Sequence, residues 1–150
     1  MPSIISADHP KQNLLFFVAQ DVSDSMRAKV GEFVLKLASL RQWLIESPRF
    51  VDVRDEPADT SRGDMPVETL GGCLEIYSAR PPWTLPREID RQHLDEVTAL
   101  VTALREFSRQ NNWTFEFELD GTFVGSIADG ELDRALSEGL LGEWKRQLGA

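Results

Sequence analysis

The stretch that decides the fold runs from Trp113 to Ile127 and reads WTFEFELDGTFVGSI. In its first half, Trp113, Phe115 and Phe117 are apolar and the residues between them are polar. A period of two is typical of a β-strand with one buried and one solvated face. Asp120-Gly121 is a strong signal for a tight turn. The stretch therefore predicts a β-hairpin.

Two registers of this hairpin are compatible with the turn. A two-residue loop, Asp120-Gly121, pairs Phe117 with Val124 and sends Phe123 to the polar face. A three-residue loop, Leu119–Gly121, with its glycine in a left-handed bulge, pairs Phe117 with Phe123 and gathers the large apolar groups on one face. Because burying two extra large side chains is worth roughly 3–6 kcal/mol, we predict the three-residue loop.

Periodicity along the rest of the chain predicts the order β–α–β–β–α–β–β–α. Long helices are expected over 21–47 and 88–110, and two shorter helical pieces, separated by a break, over 131–136 and 138–148. The apolar run Leu14–Ala19 predicts a central strand covered on both faces. We predict an α+β fold: a curved, mostly antiparallel sheet of four or five strands, with two long helices packed on one face and a short C-terminal helix.

The length of 150 residues suits one domain. We expect a flexible N-terminal segment over residues 1–12 and a single α+β domain over residues 13–149. Residues 54–66 form a long polar stretch that predicts a mobile acidic loop. Its carboxylates are candidates for binding a partner; they are Asp55, Glu56, Asp59 and Asp64.

The chain is acidic, with 16 Lys and Arg against 25 Asp and Glu and a formal charge of −9. This charge argues against nucleic acid and anionic membranes as partners, because both require a positive surface. It is compatible with a basic protein partner, although solubility alone also favours acidic surfaces. Cys73 is the only cysteine, and the N-terminus has no secretory pattern. We expect a cytoplasmic protein.

Three apolar side chains lie outside the predicted core. Leu35 and Trp43 fall off the apolar stripe of the first helix and, being eight residues apart, share its far face. Either another segment covers them or they contact a second subunit or a partner. Trp83, in the proline-rich connector 80–86, either caps the edge of the core or contacts a ligand. All three join the acidic residues as candidates for partner binding.

Few residues suggest chemistry. We expect His9 to have no role in chemistry. We expect His93 to lie on the inner side of its helix, at the boundary of the core, with its tip in water, and Cys73 to be a small buried hydrophobe. The acids of 129–133 are spaced like part of a calcium loop but lack its closing glutamate. No phosphate-binding loop, zinc spacing or nucleophile elbow is present in the sequence. The sequence thus predicts no catalytic residue, no metal site and no cofactor, and favours a protein that is not an enzyme.

Our first hypothesis is a non-enzymatic acidic protein-binding module, an immunity-type inhibitor that neutralises a toxin or another basic partner. The first alternative is a small enzyme or small-ligand binder, with a pocket between sheet and helices lined by Trp113, Phe115 and polar groups of His93 or Tyr77. The second alternative is a self-associating structural domain that uses Leu35 and Trp43.

Overall fold

A six-stranded antiparallel sheet is the frame of the protein, whose computed structural model describes residues 8–55, 67–79 and 82–149. The strands are β1 (Lys11–Val18), β2 (Arg49–Asp55), β3 (Val67–Tyr77), β4 (Thr114–Leu119), β5 (Thr122–Ala128) and β6 (Glu131–Leu132). The helices are α1 (Asp24–Ser39), α2 (Arg87–Asn111) and α3 (Glu143–Leu148), the last preceded by a π-helical segment, Ala135–Gly142. The strands lie in the order β2-β3-β1-β4-β5-β6. The α+β class is confirmed, and β6 is a short strand that the sequence did not predict.

β1 is the middle of the sheet, paired with β3 on one side and β4 on the other. The prediction of a central strand is therefore confirmed. Leu14, Phe16 and Val18 are buried, whereas Leu15 and Phe17 between them are only half-buried. The expectation that both faces are covered is wrong for the described residues, because an antiparallel sheet needs no helical crossovers on its second face.

Both long helices pack on the face of the sheet that carries Phe16 and Phe115. Phe33 of α1 stacks on Phe107 of α2, with ring centroids 4.4 Å apart. The ring of Phe33 is 6.2 Å from Phe16, and that of Phe107 is 5.9 Å from Phe115. This aromatic group joins the two helices to the two central strands and forms the middle of the core.

α1 is capped by Ser23, whose hydroxyl accepts a hydrogen bond from the Met26 N–H. The helix ends at Ser39, not at Ser47 as predicted. Beyond it, the Trp43 indole N–H donates to the Ala38 carbonyl, and the Glu96 carboxylate accepts from the backbone of Leu44. These side chains satisfy backbone groups that a longer helix would have paired.

α2 matches its prediction to within one residue at each end. It begins directly after Pro86 and is closed by Asn112 in the left-handed conformation, with φ 58°. Its buried stripe includes five apolar residues at helical spacing: Leu94, Val97, Leu100, Val101 and Leu104.

The hairpin turns through two residues, so the predicted three-residue loop is wrong. Asp120 and Gly121 have φ of 50° and 84°, and Leu119 pairs with Thr122. Positive φ at both central positions is typical of an Asp-Gly type I′ turn, whose twist matches that of the flanking strands.

A bulge inside β5 returns most of the second strand to the expected face. Phe117 pairs with Gly125, so Val124 is the extra residue, and Ile127 lies fully buried beyond it. Phe123 stays on the opposite face and is 52% exposed. The prediction that Phe123 joins the aromatic side is wrong, because a bulge one residue later buries Ile127 without any change of turn.

The C-terminal helix is continuous, whereas the sequence predicted two pieces separated by a break. Residues five apart share a face in a π-helix, so Leu136 and Leu141 of the π-helical segment are both buried. Their spacing, out of phase with an α-helix, is what suggested a break. Leu136 packs on Gly125, where an added Cβ would lie 2.4 Å from the Leu136 Cβ. Gly149 ends α3 as predicted, with φ 69°.

Candidate functional site

Of the four acidic candidates, only Asp55 lies within the described residues. Asp55 ends β2 at the edge of the sheet. Residues 54 and 55 belong to β2, so the predicted loop does not begin at residue 54. Glu56, Asp59 and Asp64 lie outside the described residues, and the acidic loop beyond residue 55 stays a prediction.

Leu35 and Trp43 do not share a helix face, because α1 ends between them. Leu35 is 74% exposed on α1. Trp43 is half-buried against the core, and the guanidinium of Arg41 lies 5.7 Å from its ring centroid. Trp43 therefore packs within its own chain, and Leu35 alone remains a well-exposed candidate of this pair.

Trp83 belongs to an aromatic group that includes His9. The ring centroids of Trp83 and Tyr77 lie 5.3 Å and 5.6 Å from that of His9, and His9 Nε2 lies 2.7 Å from the Ser78 carbonyl oxygen. His9 is buried in this group, and its lack of a chemical role stays a prediction. Trp83 caps this group with one side and leaves 42% of its surface exposed.

A buried histidine–carboxylate pair, His93 and Glu96, lies under the end of β3. Each residue is 1% exposed, and His93 Nδ1 is 2.7 Å from Glu96 Oε1. His93 Nε2 accepts the backbone N–H of Tyr77 at 3.1 Å, so Nδ1 carries the proton and donates to Glu96. Glu96 Oε2 accepts the N–H of Leu44 at 2.6 Å. The prediction that the tip of His93 lies in water is wrong, because His93 and Glu96 satisfy each other and two backbone amides.

This pair has no free position for catalysis in the described structure. A general base needs an unoccupied nitrogen facing its substrate, and both nitrogens of His93 have partners. Cys73 points to another part of the molecule, with its Sγ 3.8 Å from Asn13 Oδ1. Burial raises the pKa of the Cys73 thiol, which keeps it in the less reactive protonated form at neutral pH.

The face of the sheet opposite the helices is a candidate interaction surface, which we call the open face. Across the strands, Val51, Gly71, Phe17, Glu116 and Ser126 form one row. Its side chains are half-buried apart from the glycine, and no described helix packs over them.

A second row of the open face holds Arg49, Cys73, Leu15, Glu118 and Phe123. Two of the face's apolar residues are largely exposed, Val53 at 47% and Phe123 at 52%. The open face is defined here by seven residues: Leu15, Phe17, Val51, Val53, Glu116, Glu118 and Phe123.

Glu116 and Glu118 form no ion pair within the described ranges, and Arg49, the basic residue in the row of Glu118, is paired with Glu75. Glu116 lies opposite Phe17, and Glu118 lies opposite Leu15. Other carboxylates of the described residues do form ion pairs; Asp52 and Glu68, for example, are both paired with Arg27. In the same part of the chain, neither Glu116 nor Glu118 forms such a pair. The open face thus combines exposed apolar area with unpaired negative charge.

A cleft of about 230 Å³ lies on the helix side of the sheet, between the strand ends and α3; we call it the C-terminal cleft. Its walls are mainly apolar and aromatic, with Asp90 and Glu143 among the polar groups. Tyr77 of the predicted pocket lines this cleft, whereas Phe115 is fully buried among other rings. The apolar and aromatic lining consists of Leu14, Ile76, Tyr77, Leu119, Leu140 and Trp144.

Two of the three acids of 129–133, Asp129 and Asp133, have structural roles. Asp129 and Gly130 turn the chain with positive φ, and Asp133 accepts hydrogen bonds from Ser126 and from the backbone of Leu136. Over the described ranges, no group of three His, Cys, Asp or Glu residues is placed to hold a metal ion. Among the helices described, none has the length and apolarity that crossing a bilayer requires.

Comparison of the chain with known protein families, with curated proteins and with solved structures found no match.

Proposed function

We propose that this protein is a non-enzymatic acidic protein-binding module, of the immunity type that neutralises a toxin or another basic partner. The observation that carries the proposal is the open face, where the half-buried Leu15 and Phe17 and the exposed Phe123 lie beside two carboxylates that form no ion pair in the described ranges. Exposed apolar patches bounded by polar residues are typical of protein interaction sites. Glu116 and Glu118 favour a partner with lysine or arginine at the matching positions.

The charge of the whole chain supports the same kind of partner. A formal charge of −9 raises the rate at which a basic protein meets the acidic surface, and salt weakens this attraction. The local carboxylates then select among the proteins that arrive, because a like-charged partner would be repelled. The proposal also includes a reducing, cytoplasmic setting, which the free thiol of Cys73 supports.

The side chains most suited to chemistry are engaged in structure, which supports a non-enzymatic role. His93 and Glu96 hold three segments together, and the Cys73 thiol is buried and protonated. The buried pair thus stabilises the fold behind the proposed binding surface.

Differential capture tests the proposal. Wild-type protein is immobilised beside a variant with Glu116→Gln and Glu118→Gln, and beside a control with Glu32→Gln and Glu106→Gln on exposed helix positions. Both variants lose the same charge. We expect a basic protein that is retained by the wild type and the control and lost from the open-face variant. Equal retention on all three would reject the open face as the binding surface.

Self-association is the second candidate, favoured by the exposure of Leu35 at 74% and Leu40 at 59%. Sedimentation equilibrium separates it from the first proposal. A dimer that Leu35→Glu dissociates would support self-association through α1, whereas a monomer at all concentrations would reject it.

A further inference from the structure

The C-terminal cleft contains one carboxylate that is held in place yet has no cationic partner. Asp90 is half-buried on the first turn of α2, and its Oδ1 accepts the indole N–H of Trp144 at 2.7 Å. Within the described ranges no lysine, arginine or histidine pairs with Asp90. The other acid of the cleft, Glu143, is paired with Arg146. Asp90 therefore retains an acceptor oxygen beside the cleft.

The walls around Asp90 suit the stem of a small organic cation. Leu140, Leu119 and Ile76 are apolar, and the face of an indole such as that of Trp144 attracts positive charge. The volume is about 230 Å³, and a water molecule takes about 30 Å³ in the liquid. The cleft thus has room for about eight non-hydrogen atoms, close to the size of an arginine side chain.

We propose that the C-terminal cleft binds a single guanidinium or primary ammonium group carried on a short apolar stem, with the charge at Asp90 and the stem against Leu140 and Trp144. Such a group belongs either to a free small molecule or to an arginine or lysine of a bound protein. The cleft lies on the helix side of the sheet, opposite the open face, so this site stands or falls independently of the proposed function.

Two probes test this site and distinguish the sources of the cation. One is n-butylguanidinium, with the uncharged n-butylurea as its matched control; the other is a short blocked peptide, acetyl-Gly-Arg-Gly-amide. Binding is followed by the ¹H–¹⁵N signal of the Trp144 indole, which Trp144→Phe identifies among the four tryptophans. We expect both cations to shift this signal in a saturable manner and n-butylurea to leave it unchanged.

Variants of one helix supply the second readout. Asp90→Asn keeps an oxygen that accepts the indole N–H but removes the charge, so we expect it to weaken binding of both cations about tenfold or more. Asp95→Asn changes the net charge equally on an exposed position of α2 and is expected to leave affinity unchanged.

The relative affinities of the two cations identify the source of the bound group. Tighter binding of the peptide than of n-butylguanidinium assigns the cleft to a protein side chain, and the reverse assigns it to a free cation; either supports the site. Absence of saturable shifts at Trp144, or equal weakening by the two aspartate variants, would overturn it.

Discussion

His93 and Glu96 form a hydrogen bond of 2.7 Å in which both side chains are almost completely buried. The pair connects three parts of the chain that lie far apart in sequence: α2, the end of β3 through Tyr77, and the segment after α1 through Leu44. Every polar atom of the pair that faces the interior has a partner, which is the condition under which buried polar groups are tolerated.

Replacing Glu96 by glutamine tests this connection. The carboxylate accepts two N–H groups, whereas an amide accepts with its oxygen only and turns its NH₂ towards the other donor. We expect Glu96→Gln to lower the free energy of unfolding by about 1–3 kcal/mol, measured by urea denaturation. The neighbouring surface variant Asp95→Asn should stay within about 0.5 kcal/mol of the wild type. Equal stability of all three proteins would show that the pair is not structural.

The close approach of Gly125 and Leu136 gives a second prediction. An added methyl group at Gly125 would meet the backbone and Cβ of Leu136 within 2.7 Å, and the φ of 153° disfavours other residues. We expect Gly125→Ala to destabilise the protein by about 1–3 kcal/mol or more. The control is Gly139→Ala, whose nearest atom would be 3.9 Å away; it should be neutral or stabilising by up to about 1 kcal/mol. Similar melting temperatures for the two variants would contradict this packing.

The register of the hairpin is tested by two phenylalanines. Phe117 is fully buried and Phe123 is 52% exposed. Phe117→Ala should cost about 3–5 kcal/mol of unfolding free energy, and Phe123→Ala less than about 1.5 kcal/mol. Urea denaturation of the two variants and the wild type measures both losses. Comparable losses would indicate the three-residue loop, in which both rings face the core.

Much of the fold was predictable because it depends on local patterns. The alternation of β4 and the apolar stripe of α2 each continue over enough residues to determine type and extent. The length of α1 was not predictable, since its end depends on a carboxylate from α2, 52 residues away from Leu44. The prediction of the hairpin register was wrong for a related reason, since it too depends on a distant contact. A bulge at Val124 and Gly125 returns the later residues of β5 to the buried face. The glycine at position 125 is explained by its contact with Leu136.

The candidate sites were less predictable than the fold. The open face is built from alternate residues of four strands. Which residues are neighbours on it depends on the order of the strands in the sheet, and that order could not be predicted from the sequence. Asp90 and Trp144 are 54 residues apart and meet only because α3 packs beside α2. Only a weak sequence pattern indicated that His93 and Glu96 interact: their spacing of three residues places both on one side of a helix.

The Cys73 thiol gives a prediction about pH. Its pKa in the folded protein is raised above the ordinary value of 9.0 by burial. The folded state therefore holds the proton more tightly than the unfolded chain, and this contribution to stability is present below pH 9.0 and is lost as the pH rises through the folded pKa. We expect the stability difference between the wild type and Cys73→Ala to shrink between pH 8 and pH 10, measured by urea denaturation at each pH (roughly the range around a thiol's titration). A difference that is constant over this range would show that the folded thiol titrates normally.

The open face is tested most directly by methyl cross-saturation from the basic protein that differential capture identifies. The three aliphatic residues of the open face, Leu15, Val51 and Val53, are compared with Leu35 and Leu40 on the outside of the helix layer. We predict that the methyl signals of Leu15, Val51 and Val53 lose intensity when the partner is saturated, while those of Leu35 and Leu40 do not. Loss of intensity at Leu35 and Leu40 alone would contradict the proposal and place the partner on the helices.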